Sequence, residues 1–190
     1  MEPITGRYVN IAVDGVWHRI YYEESGTGRD LLFLHTAGAD SRQFYGLMTT
    51  EELLQDWHMV AFDLPLHGKS FPPAGYVPGS YRLTTDAYVK TICAVVEALG
   101  LKRPVVLGSS MAGEICLELA YRHPEKFSAV IACEASDHIE GRLIEWARHP
   151  EVNETLFVPE WIEGLMAPTT PAKQRQEILW GYAQCGHGVF

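Results

Sequence analysis

Residues 105–114 read Val-Val-Leu-Gly-Ser-Ser-Met-Ala-Gly-Glu and carry a short apolar run into a turn of small residues. The small-x-Ser-x-small spacing around Ser110, with Gly108 and Ala112 as the small residues, is typical of a nucleophile elbow between a strand and a helix. Small residues are needed because the two backbones nearly touch there, and Gly113 relieves packing one position further on. The pattern predicts that Ser110 Oγ is exposed above a sheet and that Ser109 points into the core side of the turn.

Two further stretches precede this turn. Residues 31–38 read Leu-Leu-Phe-Leu-His-Thr-Ala-Gly, and residues 60–70 read Val-Ala-Phe-Asp-Leu-Pro-Leu-His-Gly-Lys-Ser. With the elbow, they resemble the α/β-hydrolase family over residues 8–133. The first is similar to the family's strand and His-Gly-x-Gly loop, with Thr36 in place of the first Gly. The second is similar to its Asp-x-Pro-Gly-His-Gly-x-Ser run, with Leu66 in place of a Gly.

The resemblance implies roles for individual residues. It makes Ser110 the nucleophile and takes the two N–H donors of the oxyanion hole from Ala37 and Met111. Two converging N–H donors are what the transition state of acyl transfer requires. The resemblance also implies a small-molecule substrate without a cofactor. It gives His35 and His67 a structural role that links the loops near the site.

The apolar pattern predicts an α/β fold with a doubly wound, mostly parallel sheet. The resemblance implies that this sheet is of the α/β-hydrolase type. Residues 8–13 and 16–22 alternate in polarity, and Asp14-Gly15 between them suits a type I′ turn, which predicts an opening antiparallel hairpin. Four apolar runs without alternation predict strands covered on both faces, at residues 31–34, 58–62, 105–107 and 129–133.

Two stretches have the apolar periodicity of helices that pack on such a sheet. Residues 86–99 end before Gly100, which suits the end of a helix. Residues 111–122 follow the elbow and end before His123-Pro124. The inward positions predicted for this second helix are Ile115, Cys116, Leu119 and Ala120.

The character of the chain changes after Glu134, which divides it into residues 1–135, the N-terminal part of the hydrolase core, and residues 136–190, part of a helical lid. Residues 141–149, 161–166 and 173–183 have helical patterns, and no further strand is predicted. The resemblance implies that lid helices lie over the nucleophile. Their apolar residues then either line a substrate pocket or pack the lid onto the core; these are Trp146, Trp161, Leu165, Met166 and Trp180.

Composition and charge exclude several classes of protein. The chain has 190 residues, 47% of them hydrophobic and 21% charged, as expected for a globular protein with one core. A formal net charge of −9 without a basic run argues against nucleic acid or an anionic membrane as a partner. No apolar N-terminal segment and no membrane-length apolar run are present, which predicts a cytoplasmic protein; a homo-oligomer stays open. Four cysteines without metal-ligand spacing predict buried free thiols and no metal site: Cys93, Cys116, Cys133 and Cys185.

The family carries two more strands, with the triad acid and the triad histidine, after the last strand predicted here. Each strand-and-helix step needs about 30 residues, so the chain is expected either to be a fragment or to take its base from elsewhere. Within residues 1–190 the candidates for the base are His138 and His187. Glu134 is the candidate acid and Asp137 a weaker one, with a solvated carboxylate as the alternative for both.

These observations predict a serine hydrolase that cleaves an ester, thioester, lactone or activated C–C bond of a small apolar substrate. Serine at position 110, rather than aspartate, argues against a dehalogenase or an epoxide hydrolase. The alternative is a non-catalytic binding module of the same fold, or an inactive fragment. We expect residues 1–190 alone to lack activity, and the strand at 129–133 to be an apolar edge that promotes oligomerisation or aggregation.

Overall fold

A computed structural model of the protein describes residues 3–77, 80–138, 146, 149 and 151–184. Its strands are β1 (Thr5–Val13), β2 (Val16–Ser25), β3 (Arg29–Leu34), β4 (Trp57–Phe62), β5 (Val105–Ser109) and β6 (Ala129–Cys133). A 3₁₀ helix at Ser41–Phe44 precedes the α-helices, which are α1 (Tyr45–Met48), α2 (Glu51–Leu54), α3 (Thr85–Leu99), α4 (Met111–Arg122), α5 (Glu154–Leu165) and α6 (Ala172–Tyr182).

The six strands form one mixed sheet in the order β1-β2-β4-β3-β5-β6. β2 is antiparallel to both of its neighbours, while β4, β3, β5 and β6 are parallel to one another. One face packs against α3 and α4, and the other against the 3₁₀ helix, α1 and α2. The prediction of a doubly wound, mostly parallel sheet is therefore confirmed, and parallel strands of this kind bring their carboxyl ends to one edge.

The opening hairpin has the predicted turn. Val13 pairs with Val16 across the two-residue loop, and Asp14 and Gly15 both have positive φ, 48° and 80°. Positive φ at both loop positions is what a type I′ turn requires. The two strands are longer than the sequence pattern indicated, because pairing continues out to Thr5 and Glu24.

The helices α3 and α4 lie where the periodicity placed them. α3 ends at Gly100, which adopts a left-handed φ of 68° and closes the helix with its backbone N–H. Its buried residues Ile92 and Val95 pack with Val106 of β5 and Leu119 of α4 in the larger core cluster. This packing fixes the start of α4, and therefore the turn at Ser110, relative to the sheet.

Three predictions about the far end of the sheet are wrong. β6 is half exposed rather than covered on both faces, and Ile131 keeps 45% of its surface accessible. Cys133, predicted to be buried, is exposed for the same reason. Ala120 is also exposed, because the inward stripe of α4 stops at Leu119. Within the described residues nothing packs beyond β6, which is the edge strand that the sequence led us to expect.

The lid region agrees with prediction in part. α6 lies close to the predicted residues 173–183, but α5 begins at Glu154 and contains Pro159, whereas the pattern predicted a helix only from 161. Of the helix predicted at 141–149, only Trp146 and His149 are described. Trp146 packs edge-on against Trp161, with ring centroids 5.4 Å apart.

The remaining pocket candidates do not share one location. Leu165 and Trp180 expose 65% and 66% of their surface, so neither lines an enclosed pocket among the described residues. Met166 follows α5 and is half-buried. The division into a core and a lid at residue 135 stays a prediction. None of the described helices is long and apolar enough to cross a membrane.

Candidate active site

Ser110 occupies the sharp turn between β5 and α4. Its backbone has φ 57° and ψ −125°, a conformation that residues with a side chain rarely adopt and that costs about 1–3 kcal/mol. The surrounding structure holds it there: Ser110 N–H donates to Cys133 O at 3.0 Å, and Ser110 O accepts from Glu114 N–H at 3.0 Å. A strained serine between a strand and a helix is the geometry that presents a nucleophile at the top of a sheet.

Close backbone contact explains the small residues around this turn. A Cβ on Gly108 would lie 2.6 Å from Ala112 O, and a Cβ on Gly113 would lie 2.5 Å from Cys133 O. Both distances are below van der Waals contact with backbone atoms that cannot move without displacing α4 or β6. The two glycines are therefore required by the packing of the turn itself.

The two predicted oxyanion donors are the backbone N–H groups of Ala37 and Met111, which follow neighbouring strands β3 and β5. Met111 is the first residue of α4, where helix N–H groups have no acceptor within the helix. Ala37 follows β3 in a turn closed by the 3.1 Å bond from Ala39 N–H to Thr36 O. No acceptor for either N–H is found among the described residues. Leu34 pairs with Gly108, and Ala37 and Met111 each lie three residues after their member of this pair, on neighbouring parallel strands.

His35 links the loop after β3 to the loop after β4. Its Nε2 accepts the Leu64 N–H at 3.0 Å, which assigns the ring proton to Nδ1, and Nδ1 donates to Thr36 O at 2.9 Å. Burial lowers the pKa of His35, so the ring is neutral. It connects loops, as the family resemblance implied, and both of its nitrogens are engaged by backbone.

His67 lies beside it, with ring centroids 4.8 Å apart. Its Nδ1 donates to Pro65 O at 3.0 Å, and Nε2 is buried without a hydrogen-bond partner among the described residues. Burial, and secondarily the neighbouring His35, lower the pKa of His67 to about 3. A histidine with such a low pKa is too weak a base to take a proton from serine near neutral pH.

We expect this burial to make the fold sensitive to acid. The pKa of His67 is about 3 in the folded protein, whereas an ordinary histidine has a pKa of about 6.5, so the unfolded chain binds a proton that the native state does not bind. The free energy of unfolding should therefore fall as the pH decreases from 6.5 toward 3, by about 2 kcal/mol at pH 4.5 from this residue. Urea denaturation at pH 7 and 4.5 measures the loss.

His67→Asn is the matched variant, because its amide N–H can replace the bond to Pro65 O and does not titrate. It should lose less stability than wild type between the two pH values, whereas the control variant His123→Gln, at a half-buried histidine outside the site, should match wild type. An equal loss in wild type and His67→Asn would show that His67 does not cause the acid sensitivity.

Asp63 lies in the motif at residues 60–70 and has a role that the sequence pattern did not reveal. Its buried carboxylate accepts from Ser41 N–H and from Lys69 N–H, each at 2.8 Å, and so ties the loop after β3 to the loop after β4. Burial raises the pKa of Asp63, which the two backbone bonds oppose. A Cβ on Gly68 would lie 2.3 Å from Asp63 Oδ2, so the Gly in this motif leaves room for the carboxylate.

Glu134 lies directly after β6, next to the nucleophile turn. Its Oε2 accepts the hydroxyl of Ser109 at 3.0 Å. Ser109 is opposite Cys133 in the β5–β6 pairing, which brings the two side chains together. The prediction that Ser109 points into the core side of the turn is therefore wrong, since its hydroxyl bonds an exposed carboxylate.

The candidate bases do not contact Ser110 in the described structure. His138 is exposed, and its backbone N–H and O both bond Ser136 Oγ. With Asp137 it lines a cavity of about 400 Å³ beside Met111. His187 lies outside the described residues. No hydrogen bond joins Ser110 Oγ to a histidine in the described part of the chain.

A comparison with protein families agrees with this geometry. The model of the alpha/beta hydrolase fold matches residues 31–173, which include the loop after β3, the elbow and β6. The match covers most of the chain, and the protein belongs to the α/β-hydrolase fold family.

Individual relatives extend the comparison. A 2-hydroxy-6-oxononadienedioate/2-hydroxy-6-oxononatrienedioate hydrolase of Burkholderia vietnamiensis is 26% identical over 133 residues, 68% of this chain and 44% of that protein. The hydrolase YugF of Bacillus subtilis is 30% identical over 162 residues, 81% of this chain and 55% of that one. A thermophilic esterase from Thermogutta terrifontis superposes with a TM-score of 0.81 at 19% identity, covering 96% of this chain and 69% of the esterase. The chain thus spans about half the length of the curated relatives it matches.

Proposed function

We propose that this chain carries the nucleophile and the oxyanion hole of a serine hydrolase. The observation that carries the proposal is the backbone of Ser110, held at φ 57° between β5 and α4 by the bond to Cys133 O. Backbone strain of about 1–3 kcal/mol at a residue with a side chain is typical of functional positions. In the proposal, the Ala37 and Met111 N–H groups stabilise the oxyanion that forms on the substrate when Ser110 attacks it.

In the proposed reaction Ser110 Oγ attacks the carbonyl carbon of the substrate while a general base removes its proton. The carbonyl oxygen becomes an oxyanion and accepts from the Ala37 and Met111 N–H groups, the second of which also lies at the positive end of α4. The base then donates the proton to the leaving group, and the acyl-enzyme forms. Water attacks the acyl-enzyme by the same steps and releases Ser110.

The general base of this reaction would be a histidine, and no histidine of the described residues is hydrogen-bonded to Ser110 Oγ. We assign it to a segment of a longer chain, because the relatives extend well beyond the part they share with this sequence. His138 and His187 are the alternatives within residues 1–190. A serine without a base is a weak nucleophile at neutral pH, so the proposal depends on such a histidine.

Glu134 is the proposed acid of the triad. It follows β6 directly, and the Ser109 hydroxyl fixes one of its oxygens at 3.0 Å. The described structure gives Oε1 no partner, which leaves it for the Nδ1–H of an incoming imidazole. A carboxylate in that position would orient the histidine and stabilise the imidazolium that forms.

We infer that the substrate is a small molecule with an ester, thioester, lactone or activated C–C bond. All four pass through an oxyanion that two N–H donors stabilise. The support from relatives is in their names, which include a hydrolase of a 2-hydroxy-6-oxo dienedioate and an esterase. A non-catalytic binding module is the second candidate, favoured by the lack of a histidine on Ser110 Oγ in the described residues.

A fluorophosphonate probe tests the proposal on the longest form of the protein that can be expressed. If Ser110 is the nucleophile, the protein should take up one label, found by peptide mapping within residues 108–114, because the probe reacts only with an activated serine. Ser110→Ala should abolish the label, and Ser109→Ala should retain it. A label on Ser109, or one that survives in Ser110→Ala, would contradict the assignment, and an unlabelled protein would favour the binding module.

A further inference from the structure

The lid helix α6 is hydrogen-bonded at its carboxyl end to both loops that form the candidate site. Arg42 Nη2 donates to Trp180 O at 3.2 Å, and Gly68 N–H donates to Gln184 O at 3.1 Å. Arg42 belongs to the 3₁₀ helix that follows the oxyanion loop, and Gly68 to the loop after β4. These bonds join segments more than 100 residues apart in the chain.

Arg42 is held rigidly by a buried carboxylate. Its Nε lies 2.9 Å from Asp40 Oδ1, and its Nη2 lies 2.5 Å from Asp40 Oδ2, a two-pronged ion pair. Asp40 is 2% exposed and also accepts the Arg42 backbone N–H at 3.0 Å, which caps the 3₁₀ helix. A guanidinium fixed in this way holds Nη2 in place, and this nitrogen also donates to the Trp180 carbonyl.

The same 3₁₀ helix holds the oxyanion loop. Gln43, next to Arg42, accepts the Thr36 N–H through Oε1 at 2.9 Å. Thr36 immediately precedes Ala37, whose N–H is the proposed oxyanion donor. A shift of the 3₁₀ helix would therefore move the donor that must lie within about 3 Å of the developing oxyanion.

We propose that Arg42 is a positioning residue that couples the docking of α6 to the geometry of the oxyanion loop. The inference rests on the proposed function, since the loop matters only if Ala37 serves an oxyanion. When α6 is seated, its Trp180 carbonyl and the Asp40 carboxylate together fix Arg42. The 3₁₀ helix, Gln43 and Thr36 are then fixed in turn. Lysine cannot reproduce this, because its single ammonium lacks the planar fork that binds the carboxylate and the carbonyl at once.

Arg42→Lys tests the coupling in the whole enzyme and keeps a positive charge beside buried Asp40, which Arg42→Ala would leave unpaired. We expect hydrogen exchange in residues 172–182 and 36–44 to accelerate at least tenfold. We expect kcat for a p-nitrophenyl ester to fall about tenfold while KM changes less than threefold, because an oxyanion donor acts on the transition state. The matched control is Arg122→Lys, whose arginine pairs with Asp86 and Glu118 on α3 and α4 and should leave all these values unchanged.

Unchanged exchange in residues 172–182 would overturn the link to α6. Faster exchange in both segments with an unaltered kcat would overturn the positioning role, as would a change confined to KM. If wild type shows no turnover at all, the proposed function fails. The rate of hydrogen exchange in residues 36–44 of Arg42→Lys would then still show whether Arg42 joins α6 to the loop after β3.

Discussion

Ser110→Ala should lower kcat of the intact enzyme toward a p-nitrophenyl ester by about 10⁶ if Ser110 is the proposed nucleophile, which is the size of the loss when a serine hydrolase loses its nucleophile. The substitution deletes one oxygen from a half-buried residue and should leave the turn, the glycines and α4 unchanged. Initial rates at saturating substrate measure the effect. Circular dichroism of both proteins shows that the fold is retained.

Ser109→Ala is the matched control for this experiment. It removes the hydroxyl oxygen of the neighbouring serine, together with the hydrogen bond of that hydroxyl to Glu134. We expect a loss of no more than about tenfold, the size of one hydrogen bond of about 1 kcal/mol. Comparable losses in the two variants, or residual turnover in Ser110→Ala above that of the oxyanion hole alone, would remove Ser110 from the role of nucleophile.

Glu134→Gln should lower kcat by about 10⁴ if Glu134 is the triad acid, as an amide in place of the acid leaves the histidine in the wrong tautomer. Glutamine has nearly the same shape, and its amide oxygen can still accept from Ser109, so the local structure should remain. The measurement is kcat at pH 7. The double variant with Ser110→Ala should be no slower than Ser110→Ala alone, because residues that act as one unit are not additive.

Asp137→Asn provides a control with the same change of charge three residues further on. Asp137 is exposed and lines the cavity beside Met111, so its loss should change kcat less than threefold. A rate near wild type for Glu134→Gln would show that Glu134 is a solvated carboxylate and not the triad acid. The acid would then have to come from another segment.

The core and the elbow were predictable because single local rules specify them. A backbone approach of 2.6 Å at Gly108 admits no side chain, and a two-residue turn with positive φ demands a pair such as Asp14-Gly15. Helix periodicity placed α3 and α4 for the same reason, since each buries one face on a sheet. Each of these requirements involves residues that are close together in the chain, so it can be recognised in the sequence.

Side-chain partners across the sheet were not predictable in this way. Ser109 finds Glu134 only because β5 and β6 pair in a particular register. The buried pair of Asp40 and Arg42 looks like an ordinary polar loop in the sequence, and its bond to Trp180 O joins residues 138 positions apart. α5 was predicted too short because Pro159 usually marks the start of a helix, whereas here the helix continues on both sides of it.

The positive φ at Ser110 makes the needs of stability and of reactivity conflict at a single residue. Glycine would adopt φ 57° without strain, and so a Gly at this position would make the fold more stable while removing the hydroxyl. A search for stabilising substitutions would therefore favour the one change that abolishes the proposed chemistry. We expect a screen that selects for folding to accept Gly at position 110, and a screen that selects for turnover to reject it.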